Sequence, residues 1–134
     1  TLAHVNSLCG TAATATMTFD EPGDDYDSRS CFYDGARGAD VSALRANFHA
    51  GASAAQARFQ EDHGALAGNG TITDLTAPGD DAFYLEDLPT NSASIHVVEG
   101  DVYVTVNDNV VSAANAPLTM QCLTVLASEV LAVR

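Results

Sequence analysis

The chain of 134 residues has no lysine and no tryptophan, only three cysteines and four prolines, and no long uninterrupted apolar run. Each shortage excludes something. A membrane-crossing helix needs about 18 or more apolar residues in succession, so none is expected here. Five Lys plus Arg, all of them arginine, face 18 Asp plus Glu, for a formal net charge of -13. Such a surface repels a phosphate backbone, whose binding rests on displaced counterions, and anionic lipid headgroups equally. Nucleic acid is therefore not an expected partner, whereas a basic protein, a divalent ion or a neutral ligand is compatible with the charge.

Cys9, Cys31 and Cys122 contain no CxxC pair, which leaves zinc and thioredoxin-type redox chemistry without a signature. The chain also lacks HExxH, a GxSxG elbow and a phosphate-cradling loop, since "GNG" at 68–70 is not followed by lysine. What is present is the composition of a folded domain: 46% apolar and 17% charged residues, with no low-complexity tract, repeat or linker. Residues 1–134 are read as one domain with one principal core. Thr1 is not a methionine, so a processed precursor or a trimmed chain is expected, and any signal peptide or lipid-anchor cysteine would lie upstream.

Hydrophobic periodicity sets the elements. Leu2, Val5 and Cys9 fall on one face of a short helix that Gly10 ends. In "TAATATMTF", Ala13, Ala15, Met17 and Phe19 alternate with threonines, which predicts a strand with the apolar set toward the core and the threonines outward. "DEPGDDYDSRS" reads as a charged loop, "CFYDG" as a short extended piece, and "DVSALRANFH" as a strand with Ser42, Leu44, Ala46 and Phe48 on one face. Ser53 and Gln56 have capping-box spacing at the start of an amphipathic helix ending at Leu66. "TITDL" and the middle of "APGDDAFYLEDLP" read as strands, and "ASIHVVEGDVYVTV" as a hairpin turning at Gly100. A loop over 107–114 leads to a long apolar helix from Pro117 to Arg134. Strands in consecutive runs with helices between the runs predict an α+β fold, a mainly antiparallel sheet of about five to seven strands covered by two or three helices.

Among chemical readings, Cys31 lies amid Asp27 and Asp34, surroundings that raise a thiol pKa instead of activating a nucleophile. A disulfide between Cys9 and Cys31, closing about 20 residues and contributing on the order of 3 kcal/mol, is the first reading. Pairing through Cys122, or three free thiols, stays open, and Cys122 is otherwise a small buried hydrophobe. Asp20, Asp24, Asp25 and Asp27 are weak calcium candidates without the spacing of an EF-hand loop, and a solvated acidic loop is the favoured reading of them. Asp80, Asp81, Glu86 and Asp87 offer carboxylates for acid/base work, although a turn rich in aspartate explains the same residues. His4, His49, His63 and His96 are scattered, with His96 expected half-exposed on the hairpin face opposite Ile95 and Val97.

"AHVNSLCGTAATATMTFDE" with "SCFYDG" resembles the extracellular sensor domain of mycobacterial serine/threonine kinases and its lipoprotein relatives. "APGDDAFY" and "SIHVVEGDVYVTV", followed by an apolar terminal helix, are similar to actinobacterial envelope lipoproteins of unknown function. The resemblance implies an α+β fold, an extracytoplasmic address, no cofactor, and a small molecule or cell-wall component held in a cleft. The expected function is thus a non-catalytic binding or sensor-like domain. The alternatives are an assembly module for a basic partner protein and an acid/base hydrolase working through the 80–87 carboxylates.

Overall fold

The computed structural model describes residues 1–9, 13–35, 41–108 and 116–133. Three helices and seven strands follow the order α1 (Leu2–Cys9), β1 (Ala13–Glu21), β2 (Tyr26–Gly35), β3 (Val41–His49), α2 (Ala52–Leu66), β4 (Thr71–Leu75), β5 (Asp81–Asp87), β6 (Ser92–Glu99), β7 (Val102–Asp108) and α3 (Ala116–Val133), with a 3-10 turn at Leu88–Thr90. The strands form one sheet in the order β1-β2-β3-β7-β6-β5-β4, and every neighbouring pair is antiparallel. This is the α+β architecture that the pattern of strand runs predicts. The expected Gly10 helix stop and nearly all of the 107–114 loop lie outside the described residues.

The β6–β7 hairpin is the centre of the molecule. Gly100 takes a φ of 55° at the first turn position, where a two-residue hairpin turn needs glycine. Ala93, Ile95, Val97, Val102, Val104 and Val106 point to one face and pack under α1 and α3 with Val5, Leu123, Leu126 and Ala127. Val98 and Tyr103 point to the other face and join Phe83, Ala55 and Phe59 beneath α2. Strands covered on both faces lose the apolar/polar alternation of a half-buried strand, which is why β6 is buried almost throughout.

The second face is polar at its heart. Arg58 Nε contacts Asp62 Oδ1 at 3.1 Å, and Asp62 Oδ2 accepts from the Tyr103 hydroxyl at 2.9 Å. With its proton so committed, the Tyr103 oxygen accepts from His96 Nδ1 at 2.7 Å, leaving His96 Nε2 to accept from Ser94 Oγ at 2.9 Å. His96 is therefore neutral and held as one tautomer, with its ring stacked on Phe83 at 4.4 Å and 6°. It is buried, not half-exposed, because α2 covers the face to which alternation assigns it. Burial pushes its pKa down to about 4, against the opposing pull of Asp62. Burial and then Asp62 push Tyr103 upward.

Two further expectations are corrected. Helix α2 starts at Ala52 with Gly51 as its N-cap and no side-chain capping bond, so Ser53 and Gln56 form no capping box; Gln56 Nε2 instead donates to Asp81 Oδ2 at 3.4 Å. The disulfide joins Cys9 to Cys122, not to Cys31, with Cα atoms 5.2 Å apart, and Cys31 is a free thiol. Cys31 sits in the middle of β2, paired to Thr18 and Leu44, so the strand that carries it cannot also meet the end of α1. The bond and the His4–Glu129 contact at 2.7 Å show α1 lying antiparallel along α3.

The fold makes two predictions. Alkylation without reductant should label one thiol per chain, Cys31, and alkylation after reduction all three. Cys9→Ser with Cys122→Ser should lower unfolding free energy by about 4–5 kcal/mol in the chain-entropy picture, as read from the urea midpoint, because the bond closes a span of 113 residues. Second, unfolded His96 takes up a proton near pH 6.5, whereas folded His96 does so only near pH 4. Its neutral burial is cost-free above that window, and its contribution is lost as pH falls through it, by about 3 kcal/mol at most. The difference in urea midpoint between wild type and His96→Gln should change between pH 6.5 and 4 and stay flat from pH 7 to 8.

Candidate functional site

Helices α1 and α3 cannot cover seven strands. Helix α3 packs chiefly on β7 and β6, which leaves the same face of β2 and β3 less covered beside the helix's last turns. A groove of about 400 Å³ opens there. Leu44, Ala46 and Phe48 of β3, Val102 of β7 and Val130 of α3 give it an apolar floor and wall. Alternation along β3 puts all three of its residues on this face, as the sequence predicts. Thr18, Asp20 and Arg29 rim the opening. The Arg29 guanidinium lies 5.3 Å from the centre of the Phe48 ring and 3.8 Å from Asp20 Oδ1, an exposed pair of little energetic weight that brings both charge signs to the rim.

Cys31 lines this groove, and the Tyr33 pKa is raised first by burial and then by Cys31. Among the described residues no histidine lines the groove.

The calcium candidates separate. Asp20 and Asp27 alternate onto the groove face of their strands, whereas Asp24 and Asp25 lie in the β1–β2 turn and border a second, polar cavity of about 370 Å³ with Glu21, Tyr26, Ser28 and Arg45. Among the described residues no three His, Cys, Asp or Glu side chains are grouped to hold a metal ion. The second acidic cluster is engaged locally. Asp80 Oδ2 accepts from Gly100 N at 2.8 Å, Asp81 Oδ2 from Gln56 and Gln60, and Glu86 Oε2 from the Tyr84 hydroxyl at 3.3 Å. Asp81 and Glu86 point to opposite faces of β5, so strand geometry does not present them as a facing pair. Asp80 borders a shallow hollow with Ser53, Gln56 and Gln60.

One expectation inverts. Strand β1 alternates as the sequence predicts, but Thr18 faces the groove, while Met17 and Phe19 are 58% and 45% exposed on the opposite face, with Phe19 edge-on to Phe32 at 5.7 Å. Alternation fixes which residues share a face and not which face is covered. Sequence reasoning also missed Ser94–His96–Tyr103–Asp62. The first two are i and i+2 in a strand, which shows they share a face; Asp62, 41 residues from Tyr103, had no local signal. Ser94 has the hydrogen bond to histidine that a nucleophile uses, but neither residue lines any of these three cavities. The chain matches no protein-family model and no curated protein.

Proposed function

We propose that the protein is an extracytoplasmic, non-catalytic binding domain that takes a small amphipathic molecule in the groove between α3 and strands β1–β3. One observation carries this reading: a space of about 400 Å³ whose floor is aliphatic and aromatic and whose opening holds a guanidinium, a carboxylate and a hydroxyl. Ligand sites are of this size and character, an apolar bed with a few polar groups that fix orientation. A short alkyl or alicyclic body would cover Leu44, Ala46, Phe48 and Val130, and its polar head would meet Thr18, Asp20 and Arg29. The Cys9–Cys122 disulfide is consistent with an oxidising compartment and supports the address.

An assembly role has its own observation in the exposed Met17 and Phe19 beside Phe32, an apolar patch on the other face of β1 and β2. Substitutions separate the two readings, since opposite faces of the same strands are involved.

Cys31 supplies the assay. Decanol bound in the groove should slow alkylation of Cys31 by iodoacetamide with a saturable dependence on decanol concentration. Val130→Trp, which fills the groove from a half-buried position on α3, should weaken that protection at least tenfold, about 1.4 kcal/mol, with the far-ultraviolet dichroism unchanged. Phe19→Asp should leave it intact. Protection absent in wild type, or equal in Val130→Trp, would overturn the groove as the binding site.

A further inference from the structure

The two edges of the sheet are unlike. Strand β4, at one edge, is only five residues long and carries Asp74, whose exposed carboxylate accepts from His63 Nε2 at 2.8 Å. Short length and an exposed charge are among the means by which sheet edges are kept from pairing with another chain. Strand β1, at the other edge, has neither protection. It runs for nine residues, pairs with β2 in regular register over 15–21, and carries its only charges, Asp20 and Glu21, at its last two positions. No lysine or proline interrupts it, and its one register shift lies at the start, between Ala13 and Ala15. Among the described residues no strand pairs with its outer side, so the N–H and C=O of every second residue over this run are directed outward.

The residues at this edge select its occupant. Thr16, Met17, Thr18 and Phe19 are all exposed, and Phe19 stands edge-on to Phe32 of β2. Unpaired strand backbone calls for another extended strand. A basic partner, which a net charge of -13 would otherwise attract, meets no carboxylate between 15 and 19. The run is, however, complementary to itself. When two copies lie antiparallel with Met17 opposite Met17, Thr16 of each meets Thr18 of the other on one face, a favourable cross-strand pair. On the other face the two methionines meet, flanked by Phe19 and Phe32 of both copies. Asp20 and Glu21 then lie against positions 14 and 13, which carry no charge, so the carboxylates of the two copies stay at opposite ends of the pairing. A parallel arrangement would set them side by side.

We propose that β1 is a homodimerisation edge: a second copy of this chain pairs antiparallel with it through residues 15–19 about a twofold axis at Met17. Such a contact uses the same surface on both partners, and it closes at two copies. The axis stands perpendicular to the sheet, so the two sheets join into one and both grooves open on the same face of it. Thr18 and Asp20 form the groove rim nearest the axis. The pairing uses backbone at the strand edge and stands independently of what the groove binds.

Sedimentation equilibrium of the whole chain, with amide hydrogen exchange beside it, tests the pairing. A strand-edge contact is at the low end of interface size, below about 1,200 Å², so a dissociation constant on the order of 100 μM is expected. The average mass should climb from one chain toward two, and no further, as concentration rises from about 10 μM to about 1 mM. Alternate amides within 15–19 should gain protection over the same range, a signature that contact between apolar side chains alone does not leave. Because the copies carry like charge, raising salt from about 50 mM to about 500 mM should tighten the dimer at least twofold, the reverse of what a basic partner would show. Thr16→Glu acts on the face away from Met17 and sets a carboxylate diagonal to Asp20 of the other copy, and it should weaken the dimer at least fivefold with the far-ultraviolet dichroism unchanged. Phe19→Asp should weaken it comparably, and Val130→Trp should leave it unchanged. A chain still monomeric at about 1 mM, growth past the dimer as head-to-tail pairing of β1 with β4 would give, association indifferent to Thr16→Glu, or dimers without new amide protection would each overturn the proposal.

Discussion

The constraint on which this molecule depends is coverage: among the described residues seven strands expose two faces each, and three helices shield them. The β6–β7 hairpin receives helices on both sides, and both clusters of buried hydrophobic side chains form against it. Burial of apolar area contributes roughly 25 cal/mol per Å², so a hairpin of valine, isoleucine and tyrosine draws the helices to itself before the threonine- and serine-rich strands β1 and β2 can. The outer strands are left half-covered. The groove, the polar cavity and the exposed Met17–Phe19 patch all arise on that remainder, which is where a small domain can place binding surfaces without weakening its core.

The helices are fixed to the sheet by different means on the two faces. On the α1/α3 side the contact is aliphatic, and the Cys9–Cys122 bond fastens the short α1 to its neighbour. Eight residues of helix would not persist alone, since helix nucleation is costly and short helices depend on tertiary contacts. On the α2 side a directional chain from Ser94 through His96, Tyr103 and Asp62 to Arg58 crosses the interface. Each donor has one acceptor, and reversing any link would strand a proton. Such a chain allows one seating of α2 and penalises a helix that slides by a turn, whereas the aliphatic face tolerates small adjustments.

Much of this was legible from residue order. Periodicity placed α1, α2, β3, β6, β7 and α3 within a residue or two, since each has a strong pattern of its own kind. It also placed Leu44, Ala46 and Phe48 together, and so half the groove floor. What it could not supply was relation between distant segments. The sequence offers Cys31 as the nearer partner for Cys9, but closeness along the chain is not closeness in space: β2 runs through the sheet, whereas α3 returns from the far end of the chain to lie on α1. Met17, Phe19 and His96 failed for one shared reason. Alternation sorts side chains into two sets, and which set is covered depends on where α2 comes down, some tens of residues away.

Charge gives the last step. A chain with five arginines and no lysine has few cations to place, and Arg37 and Arg134 lie outside the described residues. The remaining three are at the groove rim, at the wall of the polar cavity and at the end of the His96 chain. Arg29 faces the single carboxylate of Asp20, whereas Arg45 lines its cavity with three carboxylates, Glu21, Asp24 and Asp25, that a lone guanidinium does not neutralise. Guanidinium offers several donors in a fixed plane where ammonium offers a mobile point charge, so arginine suits orientation of an oxygen-bearing ligand more than bulk attraction. In a protein of net charge -13, long-range attraction of anions is already absent. For an uncharged ligand of the proposed groove, recognition would come from short-range geometry, hydrogen bonds and apolar contact made after arrival, and would be correspondingly insensitive to salt.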